Sequence, residues 1–357
     1  MASLDLTQDV VTLTESLCNI ESVSLNEAAL ADAIETELAK LDHLEVVRDG
    51  NSLVARTNLG RDERIVLAGH IDTVPLTSEP ANLPVKRVDG KLWGRGTSDM
   101  KGGVAVQLKL AHDLVAPNRD VTFVFYEGEE IEDQYNGLGR IARTRPELLE
   151  GAAFAVLLEP TNGGIEGGCK GTLRVHVRTK GLAAHSARPW KGDNAIHRAA
   201  DILNRLREYE PQTVNVDGLD YHEGLNAVNI SGGIAGNVIP DACTVTVNYR
   251  FAPDKSADEA LAYVTAFFDG FDLECDDLAG GARPGLDRLA AKAFVEALDL
   301  PVVAKEGWTD VARFSAVGVP AVNFGPGDAL LAHTDDEHVP REAVHACLAA
   351  LAAWLAG

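Results

Sequence analysis

Positive charge is scarce in this sequence. Its 357 residues carry 32 Lys and Arg against 54 Asp and Glu, a formal net charge of −22. Such a surface repels nucleic acid and anionic membranes at long range, so neither is expected as a partner and small molecules remain. An anionic small molecule would need a few Arg or Lys placed locally against that background field. Cysteine is sparse too. Cys18, Cys169, Cys243, Cys275 and Cys347 are odd in number, scattered and never in a C-x-x-C pair, so a disulfide framework is not indicated and a reducing cytoplasm is expected. The chain lacks a basic opening stretch, and MASLDLTQDVVTLTESL reads as an acidic amphipathic helix rather than a signal peptide. It lacks an apolar run of membrane-spanning length, the longest being CLAALAAWLAG, which reads as a core-packing helix. No G-x-S-x-G elbow occurs and no cysteine has an evident base partner, which leaves nucleophilic hydrolysis without a candidate. GRG at 94–96 lacks the third glycine and the preceding strand of a dinucleotide loop, and SGGIAG at 231–236 reads as a turn.

What the chain does have is an ordinary globular composition, 46% hydrophobic and 24% charged, over a length that suits one large domain or two moderate ones. SLVART, RIVLAG, VTFVFY and AFAVLL are short β-rich apolar runs, separated by helical patterns such as MKGGVAVQLKLAHDL; they predict an α/β sheet flanked by helices. From about residue 171 the texture changes. TLRVHVRT, DNAIHRAADILNRLREY, NAVNISGG, ACTVTVNYR and SADEALAYVTAFF give strand, helix, strand, strand, helix, the order of a small antiparallel α+β unit of ferredoxin-like type. After LAGGARPGL the α/β texture returns, with PAVNFG as a strand and REAVHACLAALAAWL as a closing helix. One domain is therefore expected inside another: 1–170 and 284–357 form the outer domain, and 171–283 the inserted one.

The polar residues that look misplaced sit at strand ends. His70 follows RIVLAG, Glu129 and Glu130 follow VTFVFYEG, Glu159 follows AFAVLL, and Asp99 lies in the loop GRGTSD just before a helix. In open α/β sheets the ligand crevice lies outside the carboxyl ends of the strands, so separate segments can deliver these groups to one place. Carboxylates and imidazole without thiolate suit a hydrolytic zinc or cobalt site with a position left for water. Carboxylates that close repel one another strongly unless a cation sits between them.

GHIDTVP, GRGTSDMKGG, EGEEIE, LLEPT and AHTDDEHVP, in that order and through nearly the whole chain, resemble the dinuclear-zinc amidohydrolase family of aminoacylases, deacetylases, carboxypeptidases and desuccinylases. EEIEDQYNGLGRIAR, WTDVARF and FGPGDALLAHTDDEHVP are most similar to the actinobacterial type of succinyl-diaminopimelate desuccinylase within it. The resemblance implies a zinc-peptidase-like catalytic domain with an inserted dimerisation and lid domain. It implies two Zn²⁺ per subunit, with Co²⁺ able to substitute: His70, Asp99 and Glu159 hold one ion, and Asp99, Glu130 and His333 the other. His338 is the alternative to His333. Asp72 would orient a ligand, Glu129 would be the general base, and His185 in GLAAHSARP would hold the oxyanion from the partner subunit of a homodimer. The substrate implied is an anionic N-acyl amino acid, N-succinyl-LL-2,6-diaminopimelate. Its carboxylates would meet Lys170, Asn237 and, above all, Arg250, whose guanidinium can grip with two parallel bonds. An acetylornithine-type deacylase, a metal-dependent exopeptidase and a silent binding protein on the same fold are the alternatives.

Overall fold

The structure, a computed structural model, describes residues 4–79 and 81–356. The chain forms two compact units. One comprises the chain up to Gly167, Gly285–Val303 and the chain from Arg313; the other comprises Gly168–Pro284 and Ala304–Ala312. The sequence boundaries assigned everything beyond 283 to the first unit, whereas Ala304–Ala312 packs with the second. Two side chains tie it there: the Trp308 indole donates to the Gly280 carbonyl at 3.1 Å, and Glu306 pairs with Lys170 at 2.6 Å. Such long-range ties leave no local periodicity to read.

The first unit opens with α1 (Val10–Cys18), α2 (Ala28–Leu38), β1 (Glu45–Asp49), β2 (Ser52–Arg56), β3 (Arg64–His70), β4 (Lys86–Val88), β5 (Lys91–Trp93), α3 (Lys101–Asp113), β6 (Asp120–Tyr126), α4 (Gly137–Thr144), β7 (Ala152–Pro160) and β8 (Ile165–Gly167). The second unit contributes β9 (Gly171–Lys180), β10 (Ala184–His185), α5 (Ala195–Glu208), β11 (Thr213–Val216), β12 (Leu219–His222), β13 (Gly224–Gly232), β14 (Val238–Ile239), β15 (Ala242–Phe251), α6 (Ala257–Phe267) and β16 (Asp272–Ala279). The remaining elements are α7 (Leu289–Leu298), β17 (Val302–Ala304), α8 (Val311–Ala316), β18 (Ala321–Gly325), β19 (His338–Pro340) and α9 (Arg341–Ala356).

Among the described residues, β1-β2-β6-β3-β7-β18-β8-β17 form one mixed sheet, in which β6, β3, β7 and β18 run parallel. Alternate residues of these strands, such as Ile65, Leu67, Phe123, Phe125, Phe154 and Val156, share one core with α1, α2, α3, α7 and α9. The intervening Val66, Ala68, Val124, Ala155 and Leu157 are buried as well. Burial on both faces is why the parallel strands read as unbroken apolar runs. The C-terminal apolar tract is α9, packed through Cys347, Leu351, Trp354 and Leu355. No helix among the described residues is long and apolar enough to cross a membrane.

The second unit is an antiparallel sheet, β13-β15-β9-β16, with α5 and α6 on its apolar face. Strand β9 shows the alternation plainly, burying Leu173, Val175 and Val177 and turning Arg174 and Arg178 outward. Asn194 caps α5, and Ser256 with Glu259 makes a capping box on α6. Strand β16 completes the β-α-β-β-α-β order, although DLECDDLA has too many acids to read as a strand. Its acids are stabilised across the ladder, where Arg174 pairs with Asp276 and Arg178 with Glu274.

The start of β6 carries a buried acid of structural use. Asp120 accepts from the Thr57 hydroxyl at 2.9 Å and from the Leu59 and Arg61 amides at 2.8 and 2.9 Å. Burial pushes its carboxyl up, but these bonds and Arg64 outweigh burial and hold it below its ordinary value of 3.8. Its stabilisation is therefore present above 3.8 and lost as pH falls through the lower folded value. Asp120→Asn should cost about 1–3 kcal/mol at neutral pH, and the gap to wild type should narrow on acidification. Urea unfolding at neutral pH and near pH 3 checks this, and a gap independent of pH would contradict it.

Candidate metal centre

The carboxyl ends of β3, β6, β7 and β18 lie along one edge of the first unit's sheet. His70 is the last residue of β3, and Glu159 lies within the end of β7 rather than beyond it. Glu129 and Glu130 follow β6 after a turn at Gly128, where φ is +68° and a Cβ would stand 2.4 Å from the Tyr135 carbonyl oxygen. Only glycine makes that turn. Asp99 precedes α3, which approaches β7 closely because Gly103 has no Cβ; one there would lie 2.2 Å from the Leu158 carbonyl oxygen, beside Glu159. His333 comes from the segment before β19 and has φ +63°, an uncommon conformation for a residue with a side chain.

These segments converge. His70 Nε2 is 3.1 Å from Asp99 Oδ1 and 3.8 Å from Glu159 Oε1. His333 Nε2 is 3.3 Å from Asp99 Oδ2 and 2.9 Å from Glu130 Oε2. Each oxygen of Asp99 thus faces a different imidazole. One ligand atom each from His70, Asp99 and Glu130 lies within 4.8 Å of the others. His338 goes elsewhere: its ring packs 4.1 Å from that of Trp93, with Nε2 2.9 Å from Lys91 Nζ.

Asp72, fully buried, organises the neighbourhood. Its carboxylate accepts from the Glu129 amide at 3.1 Å, the Glu130 amide at 3.2 Å and the Ser24 hydroxyl at 2.8 Å. His70 Nδ1 lies 3.1 Å from the Asp72 carbonyl oxygen and 3.4 Å from its carboxylate. With Nδ1 as donor there, Nε2 is left to face Asp99 and Glu159 as a ligand atom.

Charge is badly balanced in the cluster. Burial pushes the His70 imidazole down, yet its bonds to Asp72 and Asp99 and the charge of Glu159 outweigh burial and raise it well above 6.5. Asp99 and Glu130 raise His333 to about 10. Burial raises the Asp99 carboxyl, but the two imidazoles hold it well below the usual range. The carboxylates around them favour the protonated form of both imidazoles. A divalent ion would replace those protons, since neutral imidazole is the ligating form. The nitrogen and oxygen donors, and a carboxylate facing two ways, fit a pair of such ions.

The other expected site residues belong to the second unit. The exposed His185 lies opposite Val238 in the short β10–β14 ladder, and the adjoining Ser186 amide donates to the Asn237 carbonyl at 2.9 Å, so His185 and Asn237 are neighbours. The Ala187 amide donates to His185 Nδ1 at 3.1 Å, which leaves the proton of the neutral ring on Nε2. Half-buried Arg250 donates to Asn248 Oδ1 at 3.1 Å, and burial lowers its guanidinium from the ordinary value. Lys170 is engaged within the unit, 2.6 Å from Glu306 Oε2 and donating to the His222 carbonyl at 2.5 Å. Sequence reasoning passed over Arg95 and Glu337, although one lies in the GRG and the other in AHTDDE.

A sequence model described as peptidase family M20/M25/M40 matches residues 66–357. A Mycobacterium tuberculosis protein, provisionally named succinyl-diaminopimelate desuccinylase DapE, is 52% identical over 99% of this chain and all of its own. The succinyl-diaminopimelate desuccinylase of Corynebacterium glutamicum is 44% identical over 99% of this chain and 97% of its own. Among solved structures, a Staphylococcus aureus tripeptidase superposes with a TM-score of 0.80 at 21% identity, covering 99% of this chain and 98% of its own. Bacillus subtilis YXEP, described as a dinuclear metal binding peptidase, does so with a TM-score of 0.71 at 18% identity, covering 97% and 96%.

Proposed function

This chain belongs to peptidase family M20/M25/M40, and from that premise we propose that it is a dinuclear metal-dependent amide hydrolase that cleaves N-succinyl-LL-2,6-diaminopimelate to succinate and LL-2,6-diaminopimelate, in diaminopimelate and lysine biosynthesis. The observation that carries the chemistry is Asp99, with one oxygen toward His70 and Glu159 and the other toward His333 and Glu130. In this reading His70, Asp99 and Glu159 hold one zinc ion, and Asp99, Glu130 and His333 the second, with cobalt able to substitute. Bound there, the pair supplies an acidified water and polarises the amide carbonyl.

The chain's own residues supply the rest. Glu129, its amide fixed by Asp72, takes the proton of the attacking water and returns it to the leaving amine. His185, with its proton on Nε2, donates to the developing oxyanion. Arg250 grips a substrate carboxylate. It is better suited than Lys170, whose charge Glu306 already meets. Asn237, beside His185, adds a polar contact. The free cysteines suit a reducing cytoplasm. Strand β13 is an edge of its sheet and exposes Val228 and Ile230, which supports a homodimer that covers it; in this reading His185 serves the partner's site.

One preparation tests the reading. The zinc-loaded protein should sediment as a dimer and release amine from N-succinyl-LL-2,6-diaminopimelate in preference to N-acetylornithine and dipeptides. Arg250→Ala should lower kcat/KM on that substrate by roughly 10- to 100-fold, the scale of a charge-assisted hydrogen-bond pair. Preferred turnover of acetylornithine or dipeptides would move the activity to a deacylase or exopeptidase, and a monomer would remove the trans role of His185.

A further inference from the structure

Behind the metal cluster lies a buried ion pair that the reaction does not use. Glu337 is 2% exposed and Arg95 3%, and Arg95 Nη1 lies 2.7 Å from Glu337 Oε2. The other carboxylate oxygen, Oε1, accepts from two successive amides, Ser98 N at 3.1 Å and Asp99 N at 3.2 Å. Arg95 Nη1 also donates to the carbonyl of Thr334, the residue after His333, at 3.3 Å. Around this core, the Gly94 amide donates to the Glu337 carbonyl at 3.0 Å and the Ser98 hydroxyl to the His338 carbonyl at 3.1 Å.

Two loops far apart in the sequence are thereby held in one register. One presents Asp99 and the other presents His333, and neither is part of a helix or strand at that point. Removing two charges from water is expensive, and a buried pair seldom adds stability over apolar residues of the same size; its best-attested use is to fix a register. Here the register is the separation of Asp99 Oδ2 from His333 Nε2.

We propose that Glu337 and Arg95 are positioning residues: a buried latch that aims Asp99 and His333 at one another and so sets the affinity of the ion on the His333 side, while touching neither ion. The proposal rests on the assignment of Asp99, Glu130 and His333 as ligands. Half of the latch acts on the backbone of a ligand and half on the backbone beside another, so its loss widens the site without deleting a donor. The ion on the His70 side has two further donors outside the latch, His70 at the end of β3 and Glu159 in β7, and is less sensitive to it.

The experiment is competition of Zn²⁺ against a chelator on purified protein, resolving two binding steps, with the melting of the metal-free form recorded in parallel. Glu337→Gln keeps the shape and an acceptor for the amides but loses the charge opposite Arg95. It should weaken the weaker zinc step by roughly 10- to 100-fold, as loss of a group supporting a metal ligand does, and shift the tighter step by less than about threefold. Arg95→Lys, which keeps the charge but not the fork, should weaken the same step by a smaller factor, and it decides the matter if the first variant does not fold. Glu223→Gln is the control, removing a buried acid that holds Tyr249, the Ala252 amide and Lys255 within the second unit; it should lower melting and leave both zinc steps in place. Latch variants that melt earlier yet keep both zinc affinities within threefold of wild type would overturn the proposal. A wild-type protein with one zinc step, or one whose weaker step survives His333→Ala, would instead refute the ligand assignment.

Discussion

Glu129→Gln should keep both ions and lose turnover by roughly 10²- to 10⁴-fold, the range for removing a general base, whereas Glu130→Ala should lose turnover together with an ion. The two glutamates share one turn, and Asp72 gathers both of their amides. Of the two, only Glu130 is placed among the candidate ligand atoms. Glu130 places its carboxylate oxygens 2.9 and 3.1 Å from His333 Nε2 and belongs to the cluster of ligand atoms with His70 and Asp99. Gln at 129 preserves volume and hydrogen bonding and cannot take a proton, so under the proposed assignment a base is lost and a ligand is not. Zinc content by atomic emission, beside kcat and its pH profile, separates the cases. Loss of zinc from Glu129→Gln with retention in Glu130→Ala would reverse the roles.

The site was more legible in the sequence than its setting, for a physical reason. A parallel strand buried on both faces shows as an apolar run, so the polar residue that ends it stands out. His70 after RIVLAG is legible in that way, and Glu159 near the end of AFAVLL nearly so. What holds these groups in place is long-range and polar. The Arg95–Glu337 pair joins loops with no shared pattern, and only the fold brings Arg95 to the Thr334 carbonyl. Strand β16 escaped because its acids look like a solvated loop until Arg174 and Arg178 stand opposite them. Lys170 looked free for a substrate carboxylate because nothing in GCKGT announces Glu306. The sequence favours His333 over His338 only through its place in AHTDDE; where each ring packs is a long-range matter, and Trp93 with Lys91 lies against His338.

Asp99→Asn should have the broader consequence, because the carboxylate serves both sides of the cluster. The amide has one oxygen. Whichever way it turns, one imidazole Nε2 meets an N–H donor where it met an acceptor, and the negative charge between the two sites is gone. The His333 side should empty first: the His333 side chain is 55% exposed, whereas that of His70 is 1% exposed and has Glu159 beside it. Zinc content should fall from two to one or none, and turnover on the order of 10⁴-fold, as when one member of an interdependent catalytic set is removed. The metal-free proteins provide a second readout. His333 is raised to about 10 by Asp99 and Glu130, so in wild type its stabilisation is fully present below 6.5 and is lost as pH rises through about 10. With Asp99 neutralised, the imidazole loses the first of those two supports. Melting temperatures of the chelated proteins between pH 6 and pH 10 should therefore fall more steeply for wild type than for Asp99→Asn. Parallel curves, together with two zinc ions retained by the variant, would show that Asp99 neither bridges the ions nor sets the charge of the imidazoles around it.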